Sequence, residues 1–123
     1  MIEARRNLFF IMNQTLFIEK AESLLSEIED APELSMADCD RNGNVLTIEF
    51  DSGEQIVINL QTPTQQVWLA SRRSGGFHFS LHGERWEDSE GREFWEVLAS
   101  AASLLAGEEV RFSRPPKKAS AGS

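Results

Sequence analysis

Tyrosine is absent from this 123-residue chain, cysteine occurs once, histidine twice and proline four times. The single Cys39 cannot close an internal disulfide, so the fold must rest on its core, and a reducing compartment suits it better than a secreted scaffold. Its plain role is that of a small buried hydrophobe. Two histidines without cysteines at metal spacing give no zinc pattern. No nucleophile motif accompanies His78 or His82, and no glycine-rich stretch opens a helix as a phosphate loop would. The chain is therefore not expected to be an enzyme. Basic residues are also scarce, twelve against twenty acids, and the formal charge of -8 repels a phosphate backbone, which argues against nucleic acid as a partner. Near the N-terminus the apolar run Leu8 to Met12 is too short for an export segment or a membrane helix. No membrane role is expected, and the location implied is cytoplasmic.

What is present suffices for one domain with one core, including eight Phe and three Trp. Residues 1–11 fit poorly onto the rest of the chain and are set apart as an extension without an assigned role, with Met12 an alternative start. The domain is expected over 12–112, and Ser113 to Ser123, rich in Pro, Lys and small residues, reads as a disordered tail. Phe17, Ala21, Leu24 and Ile28 recur at helical spacing, and Pro32 should end that helix near Asp30. From Val45 the period becomes two, through Phe50, then Gln55 to Leu60, Gln65 to Ser71 and Phe77 to Leu81, with turns between them. After Gly91 the helical period returns in Phe94, Leu98, Ala101 and Leu105, with Gly107 as its C-terminal cap. Glu108 to Phe112 reads as a last short strand. The pattern predicts an α+β, two-layer α-β sandwich with two helices on one face of an antiparallel sheet.

Alternation along the strands then sorts the polar side chains. If Val67 and Leu69 face the helices, Gln66 and Trp68 face away, and so do Asn59, Gln61 and His78. Trp68 thus sits among uncharged hydrogen-bonding groups, the composition of a binding hot spot. It is equally readable as a shield lying over Val57. A second feature is acid. Between Glu19 and Glu54 eleven carboxylates face only Lys20 and Arg41. Such oxygen ligands suit hard cations held weakly, although a solvated, solubilising face has the same composition. Asp38 to Gly43 is not a calcium loop, because its twelfth position, Glu49, falls inside a strand.

The segments G43-N-V-L-T-I-E-F50, I56-V-I-N-L-Q-T-P63, Q66-V-W-L-A-S71, G75-G-F-H-F79, and Trp86 followed by G91-R-E-F-W-E-V-L98 resemble the frataxin family in its bacterial (CyaY) branch, over about residues 16–112. The resemblance implies an iron-binding protein of iron–sulfur cluster assembly that associates with the cysteine desulfurase and its scaffold protein and modulates sulfur transfer. It implies a partner surface at Asn59, Gln61, Gln66, Trp68 and His78. It also implies weak Fe²⁺/Fe³⁺ binding along an acidic ridge at Glu29, Asp30, Glu33, Asp38 and Asp40. A monomer is expected, with iron-induced oligomers as a further state. Leu34 and Met36 stand where acids are common in that family, and Leu60 replaces a common basic residue, so both functions are expected to be weaker here. The alternative kept open is an iron-independent interaction module that regulates the desulfurase.

Overall fold

Phe17, Ala21, Leu24 and Ile28 all turn into the core, joined by Leu25, and form the buried stripe of helix α1, Ile2–Glu29. Each fully buried Leu or Ile in that stripe contributes about 1.5–3 kcal/mol relative to exposure. The computed structural model describes residues 2–113, with side chains described from residue 13 onward. Within it the helix shows no break at residue 12, where the sequence pattern sets the start of the domain. The chain leaves the helix where expected: Pro32 opens a 3-10 turn, Pro32–Leu34, which inserts Leu34 into the core.

Six strands come next: β1 Asp38–Asn42, β2 Val45–Glu49, β3 Gln55–Gln61, β4 Gln66–Ser71, β5 Gly75–His82 and β6 Arg85–Glu87. They pair in chain order, every pair antiparallel, as one meander. Helix α2, Phe94–Ala106, closes the domain. The Glu93 carboxylate caps it, accepting the N–H groups of Trp95 at 3.1 Å and Glu96 at 3.3 Å, and Gly107 ends it in the left-handed conformation at φ 73°. Both helical stripes and the inward rows Leu46 and Ile48, Ile56, Ile58 and Leu60, Val67 and Leu69, and Phe79 form one buried cluster. Trp86 of β6 joins it edge-on to Phe17, with ring centroids 5.9 Å apart. The other sheet face carries no helix among the described residues.

Two elements depart from the sequence pattern. β1 has no apolar alternation, yet it pairs along its whole length with β2 through a two-residue turn that has Gly43 at φ 64°. Residues 108–112, in contrast, form no strand. Here the hydroxyl of Ser103 takes the place of a ladder partner: it accepts the Val110 N–H at 2.8 Å and donates to the Val110 carbonyl at 3.3 Å. Val110 is buried, and Phe112 lies 5.1 Å from the Trp95 ring. Of the segment expected as a tail, Ser113 is described and donates both its N–H and its hydroxyl to Glu33 Oε2, at 3.0 and 3.2 Å. Residues 114–123 lie outside the described residues.

Candidate functional site

Register turns the alternation of single strands into rows across the uncovered face. Asn42, Val45, Asn59, Trp68 and His78 are successive cross-strand partners from β1 to β5. The adjacent row is Gln61, Gln66, Ser80 and Glu87. All five residues expected at a partner surface therefore stand together, in two neighbouring rows on one face.

Trp68 is held rather than loose. Its Nε1–H donates to Gln66 Oε1 at 2.9 Å, and its indole stacks on the His78 imidazole with centroids 4.1 Å apart and planes 12° apart. The side chain is half-buried, and its ring neighbour is the exposed His78. Such an arrangement fixes the rotamer of a large apolar surface in advance, so a partner that covers it loses less side-chain entropy on binding. Gln66 and His78 are thus parts of one platform with Trp68. Nothing in the spacing of Q-V-W reveals the hydrogen bond, because residues two apart on a strand share a face without having to touch.

The acidic ridge is less unified. Asp38 and Asp40 of β1 pair with Glu49 and Thr47, so they point to the uncovered face, while Cys39 and Arg41 pair with buried Ile48 and Leu46 and point to the helix layer. Glu29 and Asp30 sit at the end of α1 on the helix side, and Glu33 is bound to Ser113. The five expected ligands are consequently divided between the two layers. Among the described residues, no group of three or more His, Cys, Asp or Glu is placed to hold a metal ion. Two consequences of this charge are visible. Burial first, then the negative charges of Glu29 and Asp38, push the Cys39 thiol above its ordinary value, which keeps it protonated and unreactive. Arg41 also reaches across from β1 to the helix, hydrogen-bonded to Glu22 and 3.9 Å from Glu29. The ridge carries its own cation, which the residue count included but could not place.

Comparison with known proteins decides the family. The frataxin-like domain model matches residues 10–108. The chain belongs to the frataxin family. It is similar to a frataxin from Psychromonas ingrahamii of the CyaY family, at 36% identity over 82% of this chain and 98% of that one, with a TM-score of 0.74. It is also similar to a trimeric frataxin from the yeast Saccharomyces cerevisiae that is complexed with ferrous iron, at 26% identity over 72% of this chain and 87% of that one, with a TM-score of 0.60. A further yeast frataxin structure aligns at 28% identity over 74% and 80% of the two chains, with a TM-score of 0.57. As in the family, two helices lie on one face of an antiparallel sheet. The described part of this frataxin-family chain has no helix long and apolar enough to cross a membrane.

Proposed function

We propose that this chain takes part in iron–sulfur cluster assembly in the cytoplasm, docking on the cysteine desulfurase and scaffold complex through its uncovered sheet face. The protein has no catalytic step of its own in this reading; it acts by occupying its partner. The observation that carries it is the Gln66–Trp68–His78 platform, an indole fixed by a 2.9 Å hydrogen bond and a 4.1 Å stack within a row of amides. A pre-set aromatic surrounded by neutral donors and acceptors is what a specific protein contact requires. The net charge of -8 supplies the long-range part, steering the protein toward a positive groove with an on-rate that falls as salt rises.

Iron enters as loosely held cargo. Exposed carboxylates at Glu29, Asp30, Asp38 and Asp40 keep most of an ion's water in place and pay little desolvation, so exchange is fast and affinity low. The division of these ligands between two layers, with Arg41 among them, favours a second reading in which docking alone regulates the desulfurase without iron.

Both readings share one test. Wild type and Trp68→Ala are titrated into the cognate cysteine desulfurase by calorimetry, with and without Fe²⁺ under anaerobic conditions. Truncation of a hot-spot tryptophan should cost about 2–4 kcal/mol of binding with circular dichroism unchanged. Equal binding by both proteins would remove the sheet face as the docking surface, and unchanged wild-type binding without iron would favour the second reading.

A further inference from the structure

Beside the platform the uncovered face deepens into a cleft of about 380 Å³ between β5 and residues 88–92. Its walls include His78, Ser80 and His82 of β5, Glu87 of β6, and Ser89 and Arg92 from the segment after β6. The β5 residues alternate with Phe77, Phe79 and Leu81, which turn toward the core, so they present their side chains to the open side.

Most of the formal charge in this cleft is internally closed. The Asp88 side chain is only 5% exposed; its Oδ1 accepts the N–H groups of Glu90 and Arg92 at 2.9 and 2.8 Å, and its Oδ2 accepts Arg92 Nε–H at 2.7 Å. Arg92 also lies over the Phe77 ring, 5.2 Å from its centroid. Glu87 differs. Its Oε2 accepts Arg85 Nε–H at 2.8 Å, but among the described residues Oε1 accepts no hydrogen bond, and the side chain is 26% exposed. Ser80, directly opposite Glu87 across the strands, and His82 and Ser89 likewise have no side-chain hydrogen bond among the described residues. Glu87, with one oxygen engaged by Arg85 and the other open, thus stands beside Ser80, His82 and Ser89, and His78 of the stacked pair lines the same cleft. An anion entering there would meet the carboxylate, whereas a planar cation with several N–H donors would satisfy it and its neighbours together.

We propose that this cleft receives an arginine side chain of the protein that docks on the Trp68 platform. The inference rests on the docking reading and deepens it. Gln66 and His78 line both the platform and the cleft, so one partner surface reaches both. The volume accommodates a side chain but not a helix, the exposed His78 ring that lines the cleft offers a face on which a planar guanidinium can stack, and the charge of -8 favours a basic partner.

Two titrations test it, each on wild type, Glu87→Gln and Trp68→Ala. Ethylguanidinium chloride added to the isotopically labelled full chain should give saturable amide shifts at Ser80, Glu87 and Ser89 that Glu87→Gln abolishes. In calorimetry against the cognate desulfurase, Glu87→Gln should weaken binding about tenfold, the loss of a hydrogen bond to a charged group. Unperturbed amide shifts elsewhere in the spectrum confirm that the variant folds. If Trp68→Ala abolishes desulfurase binding while Glu87→Gln binds as wild type does, docking stands and the arginine socket is refuted. If Trp68→Ala binds as wild type does, the docking reading falls, and the socket as stated falls with it. Ethylguanidinium shifts that are confined to the acidic ridge, or that survive Glu87→Gln, also overturn the proposal.

Discussion

Removing Arg41 should strengthen cation binding while weakening the fold. Arg41 is 22% exposed, hydrogen-bonded to Glu22 and 3.9 Å from Glu29, and its Nε also donates to the Gly43 carbonyl at 3.1 Å, so it ties the β1–β2 turn to α1. The two carboxylates are 44% and 36% exposed, which limits each pair to about 0.2–1 kcal/mol in solvent. Arg41→Gln should therefore cost about 1 kcal/mol of stability in total. For a divalent ion at the ridge the same change removes a repelling unit charge. At about 6 Å in a water-like dielectric that repulsion is ~0.7 kcal/mol per unit of ion charge, so ~1.4 kcal/mol for a divalent ion, or about tenfold in affinity. Salt screens the effect, and low ionic strength is where it should be read. The assay is anaerobic calorimetry with Fe²⁺, or line broadening by Mn²⁺, on wild type, Arg41→Gln and Arg41→Lys. The lysine variant keeps the charge and should keep the wild-type affinity. If Arg41→Gln binds iron no better than wild type, Arg41 does not compete with iron and Glu29 is not among the iron ligands.

The Asp88 carboxylate is pushed up by burial, but the Arg92 guanidinium and the N–H groups of Arg92 and Glu90 outweigh this and hold it below its usual range. Because the folded value is the lower one, its stabilisation is present above the unfolded value of about 3.9 and disappears as pH falls through the folded one. Asp88→Asn should be destabilised by about 1–3 kcal/mol at neutral pH, with the gap to wild type closing below roughly pH 4 in urea titrations; a gap independent of pH would contradict the charge argument. Gln65, at φ 54°, is the sole non-glycine with positive φ among the described residues. Gln65→Val should lower stability by about 1–2 kcal/mol and Gln65→Asn should be near neutral in thermal melts, and equal melting of the two would show that the turn relaxes freely.

How much of this was legible in the sequence depends on whether periodicity carried it. Wherever apolar residues alternate or recur, as in L46-T-I48, Q55-I-V-I-N-L60 and Phe94 to Leu105, core and phase come from spacing alone, and the phase in turn gathers Asn59, Gln61, Gln66, Trp68 and His78 on one face. β1 escaped that logic because Asp38-Cys-Asp-Arg-Asn42 has no apolar period; its signal was the Gly43-Asn44 pair before Val45, which marks a tight hairpin rather than a loop. The short β6 and the hydroxyl-bound segment after Gly107 depend on partners far away in sequence, which a local pattern does not record.

The placement of the acidic ridge was illegible for a related reason. A count of eleven acids against two bases is an average, and it says nothing about which layer each side chain enters. Once β1 is a strand, alternation sends Asp38 and Asp40 to one side and Arg41 to the other, beside Glu22 and Glu29. The strand that brings acid toward the helix end therefore also delivers its counter-ion there. If this ridge takes a cation as proposed, its affinity should depend less on the number of carboxylates than on whether Arg41 stays engaged. The platform around Trp68 has no such internal competitor: its hydrogen bond and its stack hold the indole in place on the uncovered face, as the proposed docking requires.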